Sequence, residues 1–266
     1  MSHHRTPGIF FESFGAGPEL VMLHGWAMHS GLWRDFAESL ADRCRVTLVD
    51  LPGHGRSGPQ DDYSLDAVVA TLSEVAPPAA HWLGWSLGAL MAIGVARNYP
   101  DRVKSLSLLA GTPRFIAGDD WPGVSPEQLG QMANNLEADY PATLKRFIGL
   151  QTYGQAEARS LARHIQARLD ECPPPEHSAL RGGLALLGDT DLRLFLASYA
   201  RPALAILGGH DRLVPKAVMP PLRVLNPRME IHELPSAAHL PFLTHPDATA
   251  TLILAFLARQ EPLLAG

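Results

Sequence analysis

The stretch 81–97, HWLGWSLGALMAIGVAR, decides how the rest of the chain is read. It opens on a short apolar run, 81–84, and turns at Trp85 and Ser86. It then continues through 87–97, a run of small and apolar residues of the kind that forms a helix buried against a sheet. Inside it, Gly84-Trp85-Ser86-Leu87-Gly88 matches G-x-S-x-G. The motif requires this strand–turn–helix context, because the serine backbone is strained in a tight elbow that only small flanking residues permit. Its hydroxyl then stands at a helix N-terminus, where the helix dipole favours developing negative charge. These flanks set Ser86 apart from an ordinary N-cap serine and make it the candidate nucleophile.

Working outward, the same pattern recurs. The runs 20–23 (LVML), 46–49 (VTLV), 103–109 (VKSLSLL), 203–207 (ALAIL) and 231–234 (IHEL) are short, apolar and closed by turn residues. Between them Leu32, Phe36 and Leu40 recur at helical spacing, as do Leu65, Val68, Val69 and Leu72. Strands alternating with helices predict an α/β fold, a doubly wound and mostly parallel sheet with buried strands. Ligands of such sheets bind outside the carboxyl ends of the strands. The alternation breaks over 115–190, where helical faces (Leu144, Phe147, Ile148; then Leu161, Ile165, Leu169) follow one another without a strand. That span reads as a helical cap inserted into a core made of 1–114 and 191–266.

A serine hydroxyl is a weak nucleophile and needs a base oriented by a third group. In elbow-type hydrolases the acid follows the serine in the chain and the histidine comes last. His239, in the loop Ser236-Ala-Ala-His239 after the last predicted strand, is the candidate base. His232 lies inside that strand, and His245 reads as a cap of the following helix. Asp211, in the turn Gly208-Gly-His-Asp211 after the preceding strand, is the candidate acid. Asp189 and Asp191 read instead as helix-entry residues. Two backbone donors are needed for the oxyanion. The amide of Leu87, next to the nucleophile, is one, and the amide of Trp26, after His24-Gly25, is the other. The loop 50–57 (DLPGHGRS) lies on the same edge and reads as structural.

Bulk properties narrow the function further. The 266 residues fit one α/β domain with an insertion. A formal net charge of -5 gives no reason to expect nucleic acid or an anionic membrane as partner. No eighteen-residue apolar run and no apolar leader segment is visible, so a cytoplasmic, non-membrane protein is expected. Cys44 and Cys172 match no metal spacing and read as free thiols. The histidines lack ligand spacing such as H-E-x-x-H, no phosphate-binding glycine loop is present, and no metal or organic cofactor is expected. A monomer is expected.

Together the motifs HGW, DLPGHGRS, GWSLG, GHDRLVP and the AAH loop resemble the α/β-hydrolase superfamily along nearly the whole chain. Residues 23–26, 49–53, 82–88 and 121–123, with Arg146-Phe147, Leu150-Gln151-Thr152 and Gly182-Gly-Leu184 in the cap, resemble the BioH family more closely. These are pimeloyl-[acyl-carrier protein] methyl ester esterases of biotin synthesis. The resemblance implies a Ser86, Asp211 and His239 triad. It implies substrate contacts at Trp26, Ser86, Leu87 and the segment Phe147, Ile148, Gly149, Leu150 and Gln151. It also implies that cap arginines receive the acyl carrier protein, with Arg146, Arg159 and Arg163 at matching positions. Ala142 stands where the family carries a further arginine, and Lys145 is the nearby substitute.

The charge distribution agrees with such a partner. Residues 141–169 hold Lys145, Arg146, Arg159, Arg163 and Arg168 against Glu157 alone, a net +4 in a chain of -5. A basic patch on an acidic protein can steer an acidic partner. The rival readings are a broad-specificity carboxylesterase or enol-lactonase acting on small free esters, and a catalytically silent ligand receptor, against which the complete triad argues.

Overall fold

The computed structural model describes residues 2–6 and 8–261. Met1, Pro7 and residues 262–266, which fall in the core expected from the sequence, lie outside the described residues. Among the described residues eight strands form one sheet: β1 (Ser2–Thr6), β2 (Ile9–Gly15), β3 (Glu19–Leu23), β4 (Arg45–Val49), β5 (Ala80–Trp85), β6 (Val103–Leu109), β7 (Ala203–Gly208) and β8 (Glu230–Leu234). Their spatial order is β1-β2-β4-β3-β5-β6-β7-β8. From β4 to β8 every pairing is parallel, whereas β1 and β2 pair antiparallel at one edge.

The six apolar runs read from the sequence are β3 to β8. Strands β1 and β2 were not among them. The β1 residues Ser2-His-His-Arg-Thr6 are polar, as an edge strand can be, and β2 alternates irregularly because many of its residues are only half-buried. The usable signal was Ile9-Phe10-Phe11 bracketed by Gly8 and Gly15, both with positive φ.

The helices are α1 (Arg34–Leu40), α2 (Leu65–Val75), α3 (Leu87–Asn98), α4 (Pro126–Ala138), α5 (Tyr140–Gln151), α6 (Ala158–Leu169), α7 (His177–Asp189), α8 (Arg193–Ser198), α9 (Met219–Leu225), α10 (Pro241–Thr244) and α11 (Pro246–Ala258). Leu32 precedes α1 in a 3-10 turn, Ser30–Trp33, so the i, i+4, i+8 row is only partly α-helical. Asp189 ends α7 and is not a helix-entry residue. Asp191 does stand at the entry of α8, where its carboxylate accepts the Arg193 N–H. His245 occupies the N-cap position of α11 without a side-chain capping bond, because its ring is held by Ser236 and Thr244.

Helix α3 is buried from Leu87 to Ala96, which explains its lack of any polar face. Each large side chain removed from water there contributes about 1.5–3 kcal/mol. Helices α4 to α7 all lie between β6 and β7. The two ends of that insertion meet: Arg114 bridges Asp191, and the Leu192 N–H donates to Pro113 O at 2.9 Å. Trp121-Pro-Gly123 folds back beside them. The Trp121 indole donates to Arg114 O, and a Cβ on Gly123 would stand 2.3 Å from Phe115 O.

Candidate active site

The elbow after β5 places Ser86 with φ 56° and ψ -116°, a left-handed strain for a residue that carries a Cβ. Close approach makes the strain possible. A Cβ on Gly84 would lie 2.2 Å from Gly88 O, and one on Gly88 would lie 2.2 Å from Leu23 O. Both motif glycines are therefore steric requirements of the turn.

Ser86 Oγ is 2.9 Å from His239 Nε2, and His239 Nδ1 is 2.7 Å from Asp211 Oδ2. The other Asp211 oxygen accepts the N–H groups of Leu213 and Val214 at 2.8 and 2.9 Å. Three side chains distant in sequence thus form one buried hydrogen-bonded series at the carboxyl edge of the sheet. Such a series lets Ser86 give its proton to His239 while Asp211 fixes the imidazole tautomer. The Asp211 carboxylate, held by two backbone donors as well as the histidine, keeps its orientation without relying on solvent.

Beside Ser86 the loop after β3 runs through His24, Gly25 and Trp26. Ala27 has a positive φ of 59°. A Cβ on Gly25 would stand 3.3 Å from Ser86 Cβ, so the loop passes directly over Ser86. Among the described residues neither the Trp26 N–H nor the Leu87 N–H makes a turn or loop hydrogen bond. Both are free to serve an oxyanion.

His24 braces this loop. Its Nδ1 lies 2.8 Å from Gly25 O, and its Nε2 accepts the Leu51 N–H at 2.9 Å. Burial lowers its pKa to about 3, with His54 adding to the effect, so the ring is neutral and one nitrogen can accept. The loop 50–57 is the other half of the brace. Asp50 accepts the N–H groups of Ser30 and Arg56.

A cavity of about 290 Å³ opens at Ser86. Phe115, Val124, Leu129, Phe147, Leu187 and Leu213 give it an apolar wall, and among the described residues Arg146 and Arg212 are the charged ones that line it. Of the substrate segment expected on α5, Phe147 and Leu150 line the cavity. Ile148 and Gln151 are buried without lining it, and Gly149 faces open space. Trp26 packs edge-on against Phe147 at 5.0 Å and donates its indole N–H to Leu180 O of α7. Gly183 permits that contact, since a Cβ there would lie 2.7 Å from the indole.

Lys145, Arg146, Arg159 and Arg163 are exposed, and none has an ion-pair partner among the described residues. Arg168 differs from the other four basic residues of its segment. It pairs with Asp35 and Glu171, so its charge is not open in the way theirs are. No group of three His, Cys, Asp or Glu side chains among the described residues is arranged to hold a metal ion. No helix among them is long and apolar enough to cross a membrane.

Sequence reasoning missed Arg212, which lines the cavity, and Trp85, whose indole donates to His239 O at 2.8 Å. Arg212 sits next to the candidate acid and could have been noted there. The Trp85 contact spans 154 positions and carries no local signal.

A family described as alpha/beta hydrolase fold matches residues 18–246. The chain is 45% identical to the pimeloyl-[acyl-carrier protein] methyl ester esterase of Methylococcus capsulatus, over 94% of this chain and 99% of that protein. It is 42% identical to the esterase of the same name from Klebsiella pneumoniae, over 93% and 96%. Among solved structures, an esterase from Exiguobacterium antarcticum superposes with a TM-score of 0.85 at 21% identity, covering 94% of this chain and 95% of that one. An enol-lactonase from Burkholderia xenovorans gives 0.79 at 19%, covering 94% and 96%. At these identities the two structures are similar in fold alone.

Proposed function

The chain belongs to the alpha/beta-hydrolase family, in the branch of the pimeloyl-[acyl-carrier protein] methyl ester esterases, and from that premise we propose that it hydrolyses the methyl ester of pimeloyl-acyl-carrier protein in biotin synthesis. The observation that carries the chemistry is the unbroken series from Ser86 through His239 to Asp211 beside an apolar cavity.

In this reading Ser86 Oγ attacks the ester carbonyl while His239 Nε2 takes its proton. The carbonyl oxygen, now negative, is met by the N–H groups of Trp26 and Leu87. Collapse breaks the bond to the methoxy oxygen, which receives the proton from His239 and departs as methanol. Water then gives a proton to His239 and attacks the acyl-serine. Ser86 is regenerated, and the carrier leaves with a free pimeloyl carboxylate. Nucleophile, base, orienting acid and oxyanion donors all come from the chain itself.

Residues 115–190 act as the cap, and the aliphatic chain lies between Phe147 and the apolar wall. Lys145, Arg146, Arg159 and Arg163 meet the carrier. The support for that reading is their exposure without ion-pair partners among the described residues, together with the names of the relatives. A cytoplasmic location and a monomeric state belong to the same reading.

The test is methanol release from purified carrier-bound methyl pimeloyl ester, with Ser86→Ala as control, together with rescue of a biotin auxotroph lacking this activity. Release from short free aryl esters but not from the carrier-bound ester would replace this reading by that of a free-ester esterase.

A further inference from the structure

The turn joining α5 to α6 touches both loops that carry the acid and the base. Gln151 O, at the end of α5, accepts the backbone N–H of His239 at 3.3 Å. Gln155 Nε2 donates to Ser236 O at 2.8 Å, three residues before the base. The Arg212 guanidinium, next to the acid, lies 4.3 Å over the ring of Tyr153. Gly154 has a φ of 75° and lies flush with His210, on the other side of the acid, where a Cβ would reach Nδ1 at 3.4 Å.

The two loops are also tied to each other. The His210 N–H donates to Ala237 O, and the Gly209 N–H donates to Leu234 O, both at 2.9 Å. Neither loop is a regular element, so its position depends on such contacts. Four points of one turn, at Gln151, Tyr153, Gly154 and Gln155, therefore bear on the two loops that carry Asp211 and His239.

We propose that the turn 151–155 is a positioning element for the hydrolytic centre, with Tyr153 and Gln155 as positioning residues that act through the loops of Asp211 and His239. Neither side chain lines the Ser86 cavity or touches the reacting atoms. Their role is to hold the imidazole between serine and carboxylate. That geometry matters steeply, because a displacement of about 1 Å in a catalytic group can cost on the order of 100-fold in rate. The cations Lys145 and Arg146 lie on α5, and Arg159 and Arg163 lie on α6. The helices that bear the open basic face thus converge on this turn.

The inference rests on the hydrolytic reading of Ser86 and is independent of the carrier, so a short aryl ester is the substrate for its test. Tyr153→Ala, Gln155→Ala and the double variant are compared with the parent for kcat, KM and the rate of fluorophosphonate labelling. The expected result for the double variant is a kcat lower by about 10-fold, with labelling slowed in parallel and KM within about twofold. Tyr153→Phe keeps the ring under Arg212 and should behave as the parent. Gln155→Ala alone, at a half-exposed position, carries the test if the double variant does not fold.

A parental kcat in the alanine variants, a change confined to KM, or equal damage from Tyr153→Phe and Tyr153→Ala would overturn the proposal. Ser86→Ala run alongside separates the two ideas. If it hydrolyses the ester at the parental rate, the hydrolytic reading falls with it. If it is inactive while the turn variants match the parent, only the positioning role falls.

Discussion

The Trp85 indole N–H donates to the backbone carbonyl of His239 at 2.8 Å, so the residue before Ser86 holds the loop of His239. Both groups are buried, and the Trp85 ring also packs against Phe242 at 5.1 Å. The elbow that presents Ser86 and the loop that presents His239 are thereby fastened to each other, independently of the hydrogen bond between the two side chains.

Trp85→Phe keeps an aromatic ring and removes this donor. The buried His239 carbonyl is then unpaired, which costs about 1–3 kcal/mol of stability. Denaturant unfolding should show that loss. Turnover of a short ester should fall in kcat with KM unchanged. An unaltered unfolding midpoint would show that the bond contributes nothing.

Asp211→Asn should preserve the fold and lower kcat by about 10⁴-fold, because an amide N–H facing the ring imposes the wrong tautomer on His239. Asp189 closes α7 away from this network, so Asp189→Asn should retain activity. The reverse ranking of the two variants would remove Asp211 from the relay.

Charge reversal of Arg159 and Arg163 to Glu should raise KM for the carrier-bound ester and leave a small free ester untouched. Steering between exposed charges is screened over about 10 Å at 0.1 M ionic strength, so the parent's advantage on the carrier-bound ester should shrink as salt rises. The informative quantity is the ratio of kcat/KM for the two substrates at low and high salt. A ratio that stays constant in the double variant would show that the basic face is only solvated.

Acid should destabilise the fold through His24 and His54, whose burial lowers their pKa values to about 3 and about 4 from an ordinary 6.5. Well above pH 6.5 these rings are neutral in the folded and the unfolded chain alike. Below it the unfolded chain takes up protons that the folded chain refuses, so stability is lost as pH falls toward 4. Unfolding midpoints measured from pH 7.5 down to 4.5 should decline along this window. The decline should be shallower in His54→Asn, and an identical slope would place the proton uptake elsewhere.

Much of this protein was legible in the chain itself. Strands β3 to β8 were visible because buried parallel strands must be apolar throughout, and their order along the chain alternates with helices. Ser86 was visible because its turn requires glycine at both 84 and 88, a local steric demand that the sequence has to display. Asp211 and His239 were visible as polar residues in the turns that follow β7 and β8, where a parallel sheet presents its carboxyl ends.

Only the tertiary structure decided the rest, since it depends on contacts between residues far apart in the chain. The neutrality of His24 comes from complete burial beside His54, and no neighbouring residue in the sequence encodes it. The open cations were separable from Arg168 only once Asp35, 133 positions away, was seen to pair with it. The grip of Trp85, Gln151 and Gln155 on the loop of His239 likewise has no local signature, because backbone carbonyls and N–H groups look the same at every position. Local sterics and periodicity are written along the sequence, whereas the partners of a polar group are set by which segments the folded sheet brings side by side.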